Sequence, residues 1–168
     1  MEFGSMLDSV LTERKETQLQ AAASLNASNS AISKVTLGTR KPSKELMQSA
    51  VAYYDEPFLA VAAATEATGG AFVPYMNNAD LHRASTHLKT MEELEEAVTA
   101  MRLAPITKRK DQLSADEREL IRRAIFECVE AITALTHHVA VLCKEYAFSW
   151  FGVWKEHRAK LKAHKYIS

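Results

Sequence analysis

Histidine and cysteine are the residues of this chain with the most potential for metal chemistry. Zinc sites use closely spaced ligands such as Cys-x-x-Cys or His-Glu-x-x-His, and di-iron bundles use Glu-x-x-His; none of these motifs occurs. His137 and His138 are adjacent, and neighbouring side chains on a helix point about 100° apart. We therefore expect no metal site, with His138 as a partly buried packing residue and His137 in solvent. Cys128 and Cys143 are 15 positions apart on a predicted helix, which is too far for a disulfide within the chain.

Motifs for catalysis and for nucleotide binding are also absent. The sequence has no Gly-x-Gly-x-x-Gly, no Gly-x4-Gly-Lys-Ser/Thr, no Ser-x-x-Lys and no Gly-x-Ser-x-Gly, so the usual phosphate cradles and nucleophile motifs are missing. We expect a protein that is not an enzyme and that uses no cofactor.

One polar cluster leaves a small-molecule site open. Its members flank Pro57 and Pro74 in the sequence: Tyr53, Tyr54, Asp55, Tyr75, Asn77, Asn78, Asp80, His82 and Arg83. Asn and Asp are ordinary turn residues, and no catalytic motif accompanies them. The cluster therefore supports a structural interpretation better than a catalytic one.

An aromatic belt at residues 146–154 is the strongest candidate for a binding surface. The expected partner-binding residues are Tyr146, Phe148, Trp150, Phe151 and Trp154. In one helix they would point to every side, so a single buried face could not cover them all. Aromatic residues are enriched at protein interfaces and at membrane surfaces. The alternative is that the belt is simply the widest layer of a helical core.

A basic segment follows the belt directly. The residues that could bind an anionic surface are Lys155, Arg158, Lys160, Lys162 and Lys165, opposed only by Glu156. An aromatic belt followed by a basic amphipathic helix suits an anionic membrane, an acidic partner or a helix-binding groove. A solvated C-terminal extension is the alternative.

A heptad pattern precedes the belt. Two apolar series recur every seven residues and supply an assembly seam: Ile125, Cys128, Ile132, Leu135, Val139 and Leu142. We predict one helix from Ala115 past Tyr146, and further apolar residues beside the seam favour a helix bundle over a two-stranded coiled coil.

Composition predicts an all-α protein. The 168 residues include only five glycines and four prolines, and Lys plus Arg equals Asp plus Glu at 21 each. This favours four or five helices with a long first and a long last helix, and the lack of a basic surplus argues against nucleic-acid binding. The apolar stretch 58–76 is interrupted by Glu66, two glycines and Pro74, so it is not expected to span a membrane.

The expected organisation has three parts. Residues 1–5 resemble a translated cloning site, residues 6–154 form a helical bundle domain, and residues 155–168 form a basic helical tail. The start at Met6 lacks the features of a signal peptide, which predicts an intracellular, cytoplasmic protein, with membrane association left open.

Local signals place the helix ends. A first helix is predicted from Leu7 into the low thirties, with a second beginning after Ser43 and interrupted at Pro57. Gly69-Gly70 ends that helix, and residues 71–88 combine a loop with a short helix. Capping boxes at Thr90–Glu93 and at Ser114–Glu117 predict helix starts at Met91 and Ala115.

Two functions remain for such a chain. The first is a non-enzymatic scaffold or interaction protein that assembles through the heptad helix and the aromatic belt, as a homodimer or with another helical protein. The second is a peripheral membrane-binding or membrane-perturbing bundle that uses the belt and the basic tail on anionic lipid.

Overall fold

The computed structural model describes residues 2–168, and these contain helices and no strand. The α-helices are α1 Glu2–Arg14, α2 Gln18–Ser24, α3 Asn29–Thr36, α4 Lys44–Tyr54, α5 Pro57–Ala67, α6 Arg83–Leu103, α7 Ala115–Glu145 and α8 Trp150–Ala163. A short 3₁₀ turn at Lys110–Gln112 precedes α7. The all-α class is confirmed, and the expected count of four or five helices is too low because both long predicted helices are divided.

The predicted first helix is three helices. Lys15 and Asn26 adopt left-handed backbone conformations with φ of 54° and 51°, and each ends a helical turn. Thr17 then caps α2 in a capping box with Gln20, and Ser28 caps α3 by accepting a hydrogen bond from the Ala31 amide. The sequence prediction was wrong here because local caps stop the helix twice within an apolar pattern that continues in register.

The described residues of the expected cloning-derived segment, 2–5, lie in the first turn of α1. Phe3 is fully buried, and a side chain at Gly4 would overlap the Val35 carbonyl oxygen of α3. Whatever their origin, these residues pack into the structure; Met1 lies outside the described residues.

Two compact units divide the chain. The first, unit 1, comprises residues 1–77 and 142–168, and the second, unit 2, comprises residues 78–141. In unit 1, α1 packs on α3 and α5, α2 packs on α3, and α4 packs on α5. Its core is built from large side chains: Phe3, Leu7, Leu11, Leu25, Ile32, Leu46, Met47, Tyr54 and Leu59.

The break at Pro57 is confirmed within unit 1. Helix α4 ends at Tyr54, Asp55 turns the chain with φ of 48°, and Glu56 caps α5 by accepting a hydrogen bond of 2.8 Å from the Leu59 amide. Proline is compatible with the first turn of a helix because its missing donor has no partner there anyway. Helix α5 ends at Ala67, just before Gly69-Gly70, as predicted.

Unit 2 is an antiparallel hairpin of α6 and the part of α7 up to Val141. The Thr90 hydroxyl donates to the Ala134 carbonyl at 3.2 Å, and Thr86 lies 3.5 Å from Nδ1 of His138. Residue numbers rise on one helix while they fall on the other. The buried residues between the helices are small or polar: Thr86, Thr90, Glu93, Ala97 and Ala100 on α6, and Ala124, Ala131 and Ala134 on α7.

The two predicted capping boxes had different outcomes. At the start of α7, the Glu117 amide donates to Ser114 Oγ and the Ser114 amide donates to Glu117 Oε2, which confirms that helix start. Thr90 does not cap a helix, because α6 begins at Arg83 and Thr90 is buried against α7. Helix α6 ends at Leu103, two residues before Pro105.

Candidate interaction surface

The predicted assembly seam lies largely on the surface of α7. Ile125 and Ile132 are 60% and 51% exposed, Leu135 is also exposed, and Cys128, Val139 and Leu142 are half-buried. The buried positions of the same stretch are mainly alanines, namely Ala124, Ala131, Ala134 and Ala140, together with His137 and Val141. The helix therefore buries mainly small residues within the chain and leaves Ile125, Ile132 and Leu135 exposed.

Helix α6 carries a second exposed apolar row, which the sequence reasoning did not find. Met91 and Met101 are 46% and 49% exposed, Val98 is exposed and Leu94 is half-buried. The row has helical spacing of three and four residues, so it was detectable in principle. The predicted helix start at Met91 separated this row from Thr86 and Thr90, which lie on the same helix and contact α7.

The two apolar rows lie on the same side of the hairpin. On each helix the apolar row lies about 100° around the helix axis from the residues that contact the other helix. The rotation is clockwise for both helices when each is viewed from its own N-terminus. Because the two helices are antiparallel, the same rotation on each places both rows on one side of the hairpin. The opposite edge is polar, where Glu92, Glu96 and Arg123 line one shallow groove.

We name this side the apolar hairpin face and define it by its residues. They are Met91, Leu94, Val98 and Met101 of α6, and Ile125, Cys128, Ile132, Leu135 and Val139 of α7. Monomeric soluble proteins rarely expose a continuous apolar patch of this kind without a binding role.

The aromatic belt is not part of one long helix. Helix α7 ends at Glu145, Ala147 is left-handed with φ of 55°, and Ser149 caps α8 by accepting a hydrogen bond of 2.9 Å from the Gly152 amide. The prediction of a continuous helix past Tyr146 was wrong because the chain turns at Ala147 and Ser149 caps a new helix, although the apolar pattern continues.

The belt residues have different exposures within unit 1. Trp150 is 8% exposed, so its proposed role in partner binding gives way to a role in the core. Four others remain exposed on the turn and on α8: Tyr146, Phe148, Phe151 and Trp154. The Trp150 and Trp154 rings lie 5.7 Å apart, edge to face.

Asp55 attaches the start of α8 to the end of α4. Its Oδ1 accepts a hydrogen bond of 2.8 Å from the Phe151 amide. The Phe151 ring lies at the edge of an apolar groove between α4 and α5, beside Met47 and Val51. The contact fixes the position of the exposed aromatics relative to the core of unit 1.

The basic residues follow on α8 and just beyond it. All five are exposed: Lys155, Arg158, Lys160, Lys162 and Lys165. Lys160 and Lys162 lie in the last turn of α8, where positive charge is favourable next to the helix dipole. This part of the chain presents positive charge beside exposed aromatic rings.

Two members of the polar cluster around Pro57 and Pro74 stabilise helix starts. Asp55 accepts a hydrogen bond from the Phe151 amide in the first turn of α8, and Asp80 accepts hydrogen bonds from the Ser85 hydroxyl and the His82 amide at the start of α6. The Ser85 hydrogen bond is the main cause of a lowered pKa at Asp80. Burial is the main cause of a raised pKa at Tyr54.

The histidine predictions were half right. His138 is half-buried, with its ring 5.3 Å from that of His87. His137 is 1% exposed, which contradicts its predicted place in solvent. Burial lowers the pKa of His137, partly opposed by the contact of its Nδ1 with the Thr133 carbonyl at 2.9 Å.

Both cysteines are free thiols, as expected. Cys143 is buried, and burial is the main cause of a raised pKa at its thiol. A raised pKa disfavours the reactive thiolate.

One helix among the described residues, α7, is long and apolar enough to cross a membrane by length and composition. Only 28% of its most apolar window is buried in the chain. That exposure again reflects the aliphatic residues of the apolar hairpin face.

Neither protein-family models, nor curated proteins, nor solved structures give a match to this chain.

Proposed function

We propose that this protein is a non-enzymatic helical interaction protein that assembles through the apolar hairpin face, with the exposed aromatics of the belt as a second contact region. The observation that carries the proposal is the exposure of Ile125 and Ile132 on a helix whose alanines are buried. The favoured partner is a second copy of the chain, and another helical protein is the alternative.

The size of the face is that of a small interface. Its residues on α7 run from Ile125 to Val139, so the face is about 20 Å long, and two packed helices are about 20 Å wide. The face then covers about 400 Å² on each chain, which is about half of the roughly 800 Å² per partner of a standard interface and lies in the range of weak or transient ones. Two such hairpins packed face to face form a four-helix arrangement with aliphatic residues inside.

Light scattering after size-exclusion chromatography tests the proposal. We expect a dimer for the full chain and a monomer for Ile132→Asp, because a carboxylate in the centre of the interface would be buried without a partner. Leu88→Asp is the matched control, since Leu88 is 70% exposed on α6 but lies away from the face. Circular dichroism must show a helical Ile132→Asp chain, and a monomeric wild type would refute assembly with a second copy.

The aromatic belt is tested separately. Trp154 is 48% exposed and Trp150 is buried, so Trp154→Ala should weaken association and keep the helical content. Trp150→Ala should instead lower the stability of unit 1. If both substitutions change stability equally and leave association intact, the belt belongs to the core alone.

A second candidate function is peripheral membrane binding. It is favoured by the exposed rings of Phe148, Phe151 and Trp154 beside the basic residues of α8. Binding to vesicles rich in anionic lipid should decrease with added salt and with Lys160→Glu plus Lys162→Glu. Vesicle binding that changes neither with added salt nor with these substitutions would refute this function.

A further inference from the structure

Three glutamates converge on the polar edge of the α6–α7 hairpin. One carboxylate oxygen each of Glu93, Glu127 and Glu130 lies within 4.8 Å of the other two. Glu93 comes from α6, and the other two are one turn apart on α7. Like charges this close repel one another unless a cation lies between them or a proton is bound.

Glu93 is the member of the cluster with a buried carboxylate oxygen that lacks a hydrogen-bond donor. The residue is 9% exposed, and its Oε2 is buried without any hydrogen-bond donor. Its Oε1 forms an ion pair of 2.8 Å with Lys89. The Lys89 side chain is mostly exposed and also forms an ion pair with Glu92. A buried carboxylate oxygen without a donor is unfavourable, and a bound cation would provide the missing partner.

The basic side chains nearby do not balance the cluster. Arg123 contacts Glu127 at 3.3 Å through an exposed side chain, and Lys89 contacts Glu92 and Glu93. Glu130 makes no ion pair among residues 2–168. Two positive charges therefore serve four carboxylates, and a divalent cation would neutralise the remainder.

We propose that Glu93, Glu127 and Glu130 form a binding site for a calcium-sized divalent cation that joins α6 to α7. Carboxylate oxygens are ligands for hard cations, whereas zinc prefers nitrogen and sulfur donors. Three oxygens at the upper limit of 4.8 Å from one another would each lie about 2.8 Å from a central ion, so shifts of a few tenths of an ångström would bring them to the about 2.3–2.6 Å of Ca²⁺. Mg²⁺ at about 2.0–2.1 Å would require larger shifts of the same side chains.

The site is independent of the proposed assembly, because it lies on the edge opposite the apolar hairpin face. Its ligands are few and partly exposed, which predicts weak binding, with a dissociation constant of about 10⁻⁴–10⁻³ M. Bound Ca²⁺ should raise the melting temperature of the hairpin because it binds the folded state alone.

Calorimetric titration of the full chain with CaCl₂ tests the proposal, with the melting temperature as a second readout. Glu130→Gln should weaken binding about tenfold or more through loss of a charged ligand, and Glu93→Gln should do the same. Glu130 is exposed, so Glu130→Gln leaves folding intact even if Glu93→Gln does not. Glu95→Gln is the control, since Glu95 is an exposed glutamate of α6 outside the cluster.

The expected result is saturable Ca²⁺ binding that survives Glu95→Gln, is weakened about tenfold or more by Glu130→Gln and is not displaced by an equal concentration of Mg²⁺. Absence of a heat and of a melting shift at millimolar Ca²⁺ would overturn the proposal. Equal weakening by Glu95→Gln and Glu130→Gln would also overturn it, because the response would then reflect general surface charge.

Discussion

Unit 1 and unit 2 solve the burial of apolar surface in opposite ways. Unit 1 uses seven helices or parts of helices, most of them short, and buries Phe3, Leu7, Ile32, Tyr54 and Leu59 almost completely. Unit 2 uses long helices and buries mainly alanine and threonine between them. Among residues 78–141, all of which are described, the buried residues include no aliphatic side chain larger than valine.

The difference indicates where each unit obtains its stability. Burial of a large apolar side chain contributes about 1.5–3 kcal/mol, and burial of alanine contributes much less. Unit 1 therefore has a core of its own. The hairpin of unit 2 leaves large residues such as Ile125 and Ile132 exposed on the apolar hairpin face, where they stabilise the fold only when another surface covers them.

The largest expected effect separates the two units by one substitution in each. Leu59 is fully buried and Ile132 is 51% exposed. Leu59→Ala should lower the free energy of unfolding by about 2–5 kcal/mol, whereas Ile132→Ala in dilute protein should cost less than about 1 kcal/mol. Urea unfolding followed by circular dichroism measures both.

Protein concentration sharpens this test. If the apolar hairpin face assembles, the cost of Ile132→Ala should grow as concentration rises, and the cost of Leu59→Ala should not change in the same way. Equal losses at every concentration would contradict the difference between the units.

The second effect concerns the close approach of α6 and α7. Ala131 is 5% exposed between the helices, so Ala131→Leu should separate them and cost about 1–3 kcal/mol. Ile132→Leu, at the adjacent exposed position, is the matched control and should be nearly neutral. A neutral Ala131→Leu would show that the hairpin contact is loose, and thermal unfolding distinguishes these results.

The sequence predicted the helical class, the break at Pro57 and the cap at Ser114, because each depends on interactions within a few residues. It failed at Lys15, Asn26 and Ala147, where non-glycine residues adopt positive φ. Lys15 and Ala147 carry no strong signal for this conformation in a sequence, since mainly glycine and asparagine adopt it. Asn26 is of a favourable residue type, but an isolated asparagine does not by itself predict the end of a helix.

The candidate site was predicted in part for a related reason. Periodicity identified Ile125 and Ile132 as one row, but it does not say whether an apolar row faces the chain's own core or a partner. The burial of alanine on the adjacent side of α7 depends on how closely α6 approaches, which is a tertiary property. Glu93, Glu127 and Glu130 come together only across that contact, so their spacing along the chain gave no indication of a cluster.

A smaller effect tests how α8 is attached to unit 1. Asp55→Ala removes the acceptor of the Phe151 amide and replaces a residue at positive φ, and should cost about 1 kcal/mol. Asp55→Asn is the control, because asparagine tolerates this conformation and retains an acceptor oxygen. Both tryptophans lie on α8, so tryptophan fluorescence reports the change directly. Unchanged fluorescence in Asp55→Ala would mean that packing of Trp150 alone holds the helix.

The smallest expected effect is a pH dependence of stability caused by His137, a buried residue of the hairpin. His137 is buried and its pKa is lowered below the ordinary 6.5, mainly by burial. The folded state therefore resists protonation while the unfolded state accepts a proton near its ordinary pKa. Stability is fully present above about pH 6.5 and decreases as the pH falls from there towards the folded-state pKa, because the unfolded chain binds more protons in that window.

His137→Gln should reduce this decrease and leave the remainder, to which the lowered pKa of His138 also contributes. His157→Gln is the control, since His157 is exposed on α8 and should leave the profile unchanged. Urea unfolding at about pH 7 and about pH 5 gives the comparison, across the range in which histidine changes charge. If His137→Gln leaves the pH dependence unchanged, the imidazole of His137 is protonated as readily in the folded chain as in the unfolded one. Water would then have to reach this buried side chain through the contact between the two helices of the hairpin.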